Sequence, residues 1–327
     1  MQEVNGYKRL EYLDFCKVFA MYLVTIAHCA QQLSGSKYPD LLTSKDSFIS
    51  INMAIFMIAS GFVMNMDKMK SISTKDYIWS KVIRLLLPMT TWYLVMCVVT
   101  MNLPSWPVYW SQYWYLGAMF VCLSTIKILT NFISRLSLVC ILSILILSLI
   151  PMISFERSCY MIPFLWLGYS LRYIIDKINW RIALSLLALY VFLYFFWDIT
   201  YSIYMSPFHI WNVDAHMLDA LLFRFLIGGI GGVGVIALSR LLINKNGFGL
   251  MRHIAKFGRY TLVFYTMSFV LNAILARFMW HFNCFITTSG LLDMLAFIIS
   301  ALMMVLMYYF QAVIEKNCVL RRLFLGE

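Results

Sequence analysis

Residues 136–150 read LSLVCILSILILSLI, fifteen positions without a single charge. A barrel strand in a membrane alternates apolar and polar residues at every second position, and this run does not. Backbone groups in lipid are satisfied only inside helices or closed barrels, so a run apolar on all sides reads as a helix. Similar runs recur along the chain. Of its 327 residues, 62% are hydrophobic and 13% charged, whereas a soluble domain carries about 25% charged residues. The predicted fold class is an all-α polytopic membrane protein, about ten transmembrane helices in one bundle. The spans fall near residues 13–33, 47–66, 77–100, 112–130, 136–153, 158–175, 180–198, 217–240, 254–279 and 288–314. Several approach the ~20 residues that cross the hydrocarbon. Short gaps at 131–135 and 176–179 also admit nine or eleven. Residues 1–327 read as one membrane domain with no separate soluble domain.

The charges orient the array. Lys68, Lys70, Lys75, Lys81 and Arg84 share one gap, and Arg240, Lys245, Arg252, Lys256 and Arg259 share another. Lys127 with Arg135, and Arg172 with Lys177 and Arg181, mark two gaps on the same side, joined by Lys8, Arg9 and Lys17 and by Lys316, Arg321 and Arg322. Positive charge marks the cytoplasmic side, so both termini are expected inside, in a cytoplasmic membrane. The net charge of +11 is then a product of topology and anionic lipid, and nucleic acid is not an expected partner. The first apolar run is long, carries charges and lacks a small-residue cleavage site, so it is expected to stay as the first span. Eight scattered cysteines form no metal-ligand spacing, and no metal is expected. Cys159 and Cys284 both fall near outer ends, where pairing is one reading and free thiols the favoured one.

The first span, LDFCKVFAMYLVTIAHCA at 13–30, holds Asp14, Lys17, Thr25 and His28. At about 100° per residue these positions return to one helix face. A charge at the centre of a membrane helix costs about 2.5–3.5 kcal/mol, so such groups face a bundle interior or a wet cavity. Lys17 and Asp14 lie near the inner boundary, where an i,i+3 ion pair serving as an interfacial anchor is one reading. His28 lies about 16 Å further along, near mid-membrane. KVIRLLLP at 81–88 puts Lys81 and Arg84 on one face ahead of Pro88. Positive-inside anchoring explains their charge, and a clamp for phosphate oxygens explains the arginine within an apolar run.

Other polar positions are fewer. FMIASGFVMNM at 56–66 contains Ser60, Gly61 and Asn65; Gly61 suits close helix packing. Trp114 and Tyr115 open a span, where an aromatic belt and a platform for a sugar ring both fit. Asp219 and Arg224 lie within the eighth span, and Asn272 and Arg277 near the end of the ninth. The outer loop near 199–216 carries His209, Asp214 and His216.

In order along the chain, RLEYLDFCKVFAMYLVTIAH, FMIASGF, KVIRLLLPMTTWY, YWYLGAMF, IPFLWLGYSL and FGRYTLVFYTMS resemble the membrane acyltransferase-3 family, bacterial integral membrane enzymes acylating extracytoplasmic acceptors. The family pattern has an arginine followed eleven residues later by histidine; here Lys17 and His28 stand in those positions. Its Arg-x-x-Arg pair is Lys81 and Arg84 here. Its late Gly-Lys-x-Ser-Leu and tyrosine correspond to Gly258, Arg259, Thr261, Leu262 and Tyr265, while Ser268 replaces a histidine. The resemblance implies an acyl-CoA donor, most often acetyl-CoA, and an outer glycan or lipid-linked saccharide as acceptor. Lys17, Lys81 and Arg84 would hold the donor's phosphates. His28 would act as general base, or as the site of a covalent acyl-histidine. Asp14 would support Lys17, and Ser60 or Asn65 would stabilise the oxyanion. Trp114, Tyr115, Asp219 and Arg224 remain candidates for acceptor binding or support. A transporter or flippase for a polysaccharide intermediate is the competing class.

Overall fold

A computed structural model describes residues 10–35, 45–101, 106–150, 153–202, 211, 214–244 and 249–326. Among these residues there are helices and no strand. In chain order the helices are α1 (Glu11–Ser34), α2 (Lys45–Phe62), α3 (Met66–Ser71), α4 (Thr74–Lys81), α5 (Leu87–Thr100), α6 (Trp106–Gln112) and α7 (Trp114–Phe132). There follow α8 (Leu136–Ser148), α9 (Ile153–Leu171), α10 (Trp180–Tyr194), α11 (Ala215–Asn244), α12 (Gly249–Ala255), α13 (Thr261–Phe282) and α14 (Ser289–Ile314). Lys8, Arg9, Lys245 and His209 lie outside the described residues.

Every predicted span falls on a helix, but lengths differ. Among the described residues, six helical stretches are long and apolar enough to cross a membrane: Glu11–Ser34, Thr74–Thr100, Trp114–Phe132, Ala215–Ile243, Gly249–Phe282 and Ser289–Ile314. Apolar stretches at Ile49–Phe62, Leu136–Ser148 and Trp180–Tyr194 are shorter. The 13 residues of α8 rise only about 20 Å. Helix α2 also ends earlier than expected. Its successor α3 is preceded by Asn65, whose side chain caps it by accepting from the Lys68 N–H at 2.9 Å.

Helix α1 is the hub, packed against α2, α11, α12, α13 and α14. Its polar stripe therefore faces protein. The acidic Glu11 and Asp14 in its first turn favour the positive end of the helix dipole. Helices α2 and α9 touch backbone to backbone. A Cβ at Gly61 would sit 1.8 Å from the Leu165 carbonyl oxygen, and one at Gly168 would sit 2.0 Å from that of Ile58. Only glycine fits there, as the packing role expected of Gly61 requires.

The stretch Thr74–Thr100 is continuous but not regular. Between α4 and α5, residues Val82–Leu86 form a π-helical turn, with the Leu87 N–H bonding the Val82 carbonyl. Pro88 supplies the reason, since it has no N–H for the Arg84 carbonyl four residues back. A widened turn relieves that conflict. A second break joins α12 to α13 through the 3₁₀ turn Lys256–Tyr260. The 3₁₀ turn packs on α1, and both irregular turns border one pocket with Lys17 of α1.

Candidate functional site

Lys17 projects from the second turn of α1, with the Asp14 carboxylate 3.7 Å from its ammonium. The 3₁₀ turn lies directly on this part of α1: a Cβ at Gly258 would stand 2.3 Å from the Asp14 carbonyl oxygen. That close approach, open only to glycine, brings Arg259 to the pocket that Lys17 lines. Arg259 also lies over the Tyr260 ring at 5.5 Å. From the other wall come Lys81, 5.0 Å above the Tyr77 ring, and Arg84 on the π-helical turn.

These four cations line one pocket of about 370 Å³ together with Ser60, Tyr115 and Tyr265. Phe56, Met119 and Leu325 supply apolar wall. No aspartate or glutamate lines it among the described residues. Clustered cations in a low-dielectric concavity focus a positive potential and draw in anions. The pocket's volume falls within the range of small-molecule sites. Ser60 and the Tyr115 phenol face the same pocket. Leu325 belongs to a short helical segment, 318–325, whose Phe324 meets Trp92 edge-on at 5.0 Å. Gly326, in the left-handed region at φ 69°, follows it; a Cβ there would be 2.7 Å from Arg84 Cα.

His28 is not part of this lining. Its half-buried ring packs 5.0 Å from Phe269, and Phe269 lies 5.2 Å from Tyr265. Tyr265 is 5.6 Å from Tyr115, which is 5.6 Å from Phe56. A file of aromatic rings thus runs from the pocket wall to His28, with Phe269 as its last member. Thr25, predicted on the same stripe, is buried and donates to the Met21 carbonyl at 2.9 Å.

The remaining candidates separate from the pocket. Asn65 is the α3 cap described above and does not line it. Trp114 and Tyr115 are adjacent yet enter different cavities. Tyr115 joins the cations, while Trp114 joins Arg224, Tyr160, Trp197 and Ser202 around a space of about 30 Å³. Their exposures, 3% and 5%, do not suit an aromatic belt against lipid. Arg224, only 4% exposed, sits 4.6 Å over the Tyr160 ring and its Nε donates to the Tyr201 carbonyl. Asp219 accepts from the Tyr201 hydroxyl at 3.3 Å. Asp214 caps α11 by accepting from the Met217 N–H at 2.6 Å, and His216 lies 5.9 Å from the Tyr201 ring. Arg277 donates to the Val99 and Thr100 carbonyls, which end α5. Ser268 is buried and donates to the Tyr265 carbonyl at 2.8 Å. Cys159 and Cys284 are thiols, one buried and one exposed, and not a disulfide.

Arg259 and the 318–326 segment shape the pocket without an assigned site role from sequence alone. Arg259 had a visible signal, a cation between Gly258 and Thr261 at the start of a span. The 318–326 segment had none, because its contact with Arg84 joins positions about 240 residues apart.

The family model for an acyltransferase domain, acyltransferase-3, matches residues 10–310. No curated protein and no solved structure matches the chain.

Proposed function

The chain belongs to the acyltransferase-3 family, and from that premise we propose that this membrane acyltransferase takes an acyl group, acetyl first among candidates, from acyl-CoA. The acceptor is a hydroxyl of an extracytoplasmic glycan or lipid-linked saccharide. One observation carries the donor assignment: Lys17, Lys81, Arg84 and Arg259 converge on one pocket that also has apolar wall. CoA has the matching character, with phosphates at one end and a less charged arm leading to the thioester. Arg84 suits phosphate oxygens through its fork of donors, and the lysines act as point charges. Asp14 keeps Lys17 in place. In this reading about ten spans cross a bacterial cytoplasmic membrane, both termini and the pocket are cytoplasmic, and lipids surround the bundle.

His28, about 16 Å beyond Lys17 along α1, is the general base. Its imidazole takes the proton of the acceptor hydroxyl as the oxygen attacks the thioester carbonyl. The carbon–sulfur bond then breaks, and the imidazolium returns the proton to the departing thiolate. The products are the acylated acceptor and CoA thiol. The hydroxyls of Ser60 and Tyr115 line the same pocket as the cations and assist in stabilising charge on the donor side.

The test supplies radiolabelled acetyl-CoA and candidate glycans to inside-out vesicles containing the protein. Transfer is expected in the wild type and in Ser268→Ala, and is lost in His28→Ala. Glycan movement without acyl transfer, indifferent to His28→Ala, would overturn the enzyme reading in favour of a transporter.

A further inference from the structure

Two helices rise side by side from the cation pocket. Helix α1 contributes Lys17 to the lining and carries His28 three turns further on. Helix α13 contributes Thr261 to Val263 and Tyr265, and carries Phe269 one turn beyond Tyr265. The lining stops at Tyr265. The next ring, Phe269, touches Tyr265 at 5.2 Å on one side and His28 at 5.0 Å on another. Tyr113 also packs against it, its ring edge-on at 5.0 Å. Phe269 is therefore an apolar partition between the residues suited to phosphate and the imidazole.

We infer that Phe269 is the specificity-determining residue that sets the length of acyl chain admitted from the cation pocket to His28. This rests on the acyl-CoA reading above. A thioester carbonyl reaches His28 only when the Phe269 ring turns aside. The opening so made is bounded by Tyr113 and Tyr265, both buried, so its width depends on the residue at 269. A two-carbon chain needs little room; each added methylene needs more. In an apolar pocket one methylene changes discrimination about 10–200-fold.

The experiment measures kcat/KM for acetyl-, butyryl- and hexanoyl-CoA in full-length wild type, Phe269→Ala, Phe269→Leu and Phe269→Trp. It also measures donor Kd for each protein. Phe269→Ala is expected to raise the butyryl-to-acetyl ratio at least about tenfold, and Phe269→Leu by less. Phe269→Trp shifts the ratio the other way. Donor Kd stays within about twofold throughout, because the phosphate-binding cations lie on the pocket side. If the alanine variant does not fold, the leucine and tryptophan variants still carry opposite expectations. An unchanged chain-length profile alongside normal acetyl transfer overturns the partition role and leaves the function standing. No transfer from any donor in the wild type overturns both.

Discussion

Arg84 and Arg224 both sit in apolar helical runs, and their surroundings differ. Arg224 is buried over Tyr160 and spends its Nε on the Tyr201 carbonyl. Arg84 is exposed on a π-helical turn, one wall of a pocket shared with three other cations. Neither Lys81 nor Arg84 has a carboxylate within ion-pair range among the described residues. A buried cation that has found an aromatic face and a carbonyl is already stabilised by the fold. Lys81 and Arg84, neighbours on one wall, repel one another and gain by binding an anion. The first arrangement holds helices together. The second invites a ligand.

Substitutions sharpen the contrast. The largest effect is expected for Lys81→Met with Arg84→Met together. Hydrogen bonds to charged groups contribute about 1.5–3 kcal/mol each, so the pair should raise KM for acyl-CoA about 10²–10⁴-fold with little change in thermal stability. Steady-state kinetics alongside a melting curve in detergent checks both halves. Arg84→Lys keeps the charge and loses the bidentate fork, and is expected to raise the same KM by about tenfold. Arg224→Met should do the reverse. It removes a buried cation–π contact of about 2 kcal/mol and lowers Tm by several degrees, while KM for acyl-CoA stays within twofold. A rise in donor KM in that variant, with Tm unchanged, would break the comparison. Ser268→Ala removes one hydroxyl bonded to its own helix, and transfer activity is expected to stay within about twofold.

Much of this could be read from period and composition. The stripe of Asp14, Lys17 and His28 follows from helical spacing, and Gly61 from the need of helices to approach. Lys81 and Arg84 stood out as charges flanking an apolar run. What escaped depends on contacts between distant segments. Helical spacing places His28 and Lys17 on one face of α1, but only Lys17 lines the pocket; the ring of Phe269, from a helix some 240 residues later, stands beside the imidazole. Trp114 and Tyr115 look like one aromatic pair, yet about 100° of helical rotation sends them to two cavities. Arg224 gave no hint of its partners, because Tyr160 and Tyr201 reach it from separate elements. Asn65 looked like an intramembrane amide because the apolar run continues past it. The early end of α2 at Phe62 turns it into a helix cap.

The central claim is that the basic pocket holds the donor's phosphates. Calorimetric titration of acetyl-CoA into the purified protein tests it most directly, with Arg84→Met and Arg224→Met run beside the wild type. The account predicts saturable binding by the wild type, at least about tenfold weaker binding by Arg84→Met, and unaltered binding by Arg224→Met. Equal affinity in the wild type and Arg84→Met, or a loss confined to Arg224→Met, would contradict it.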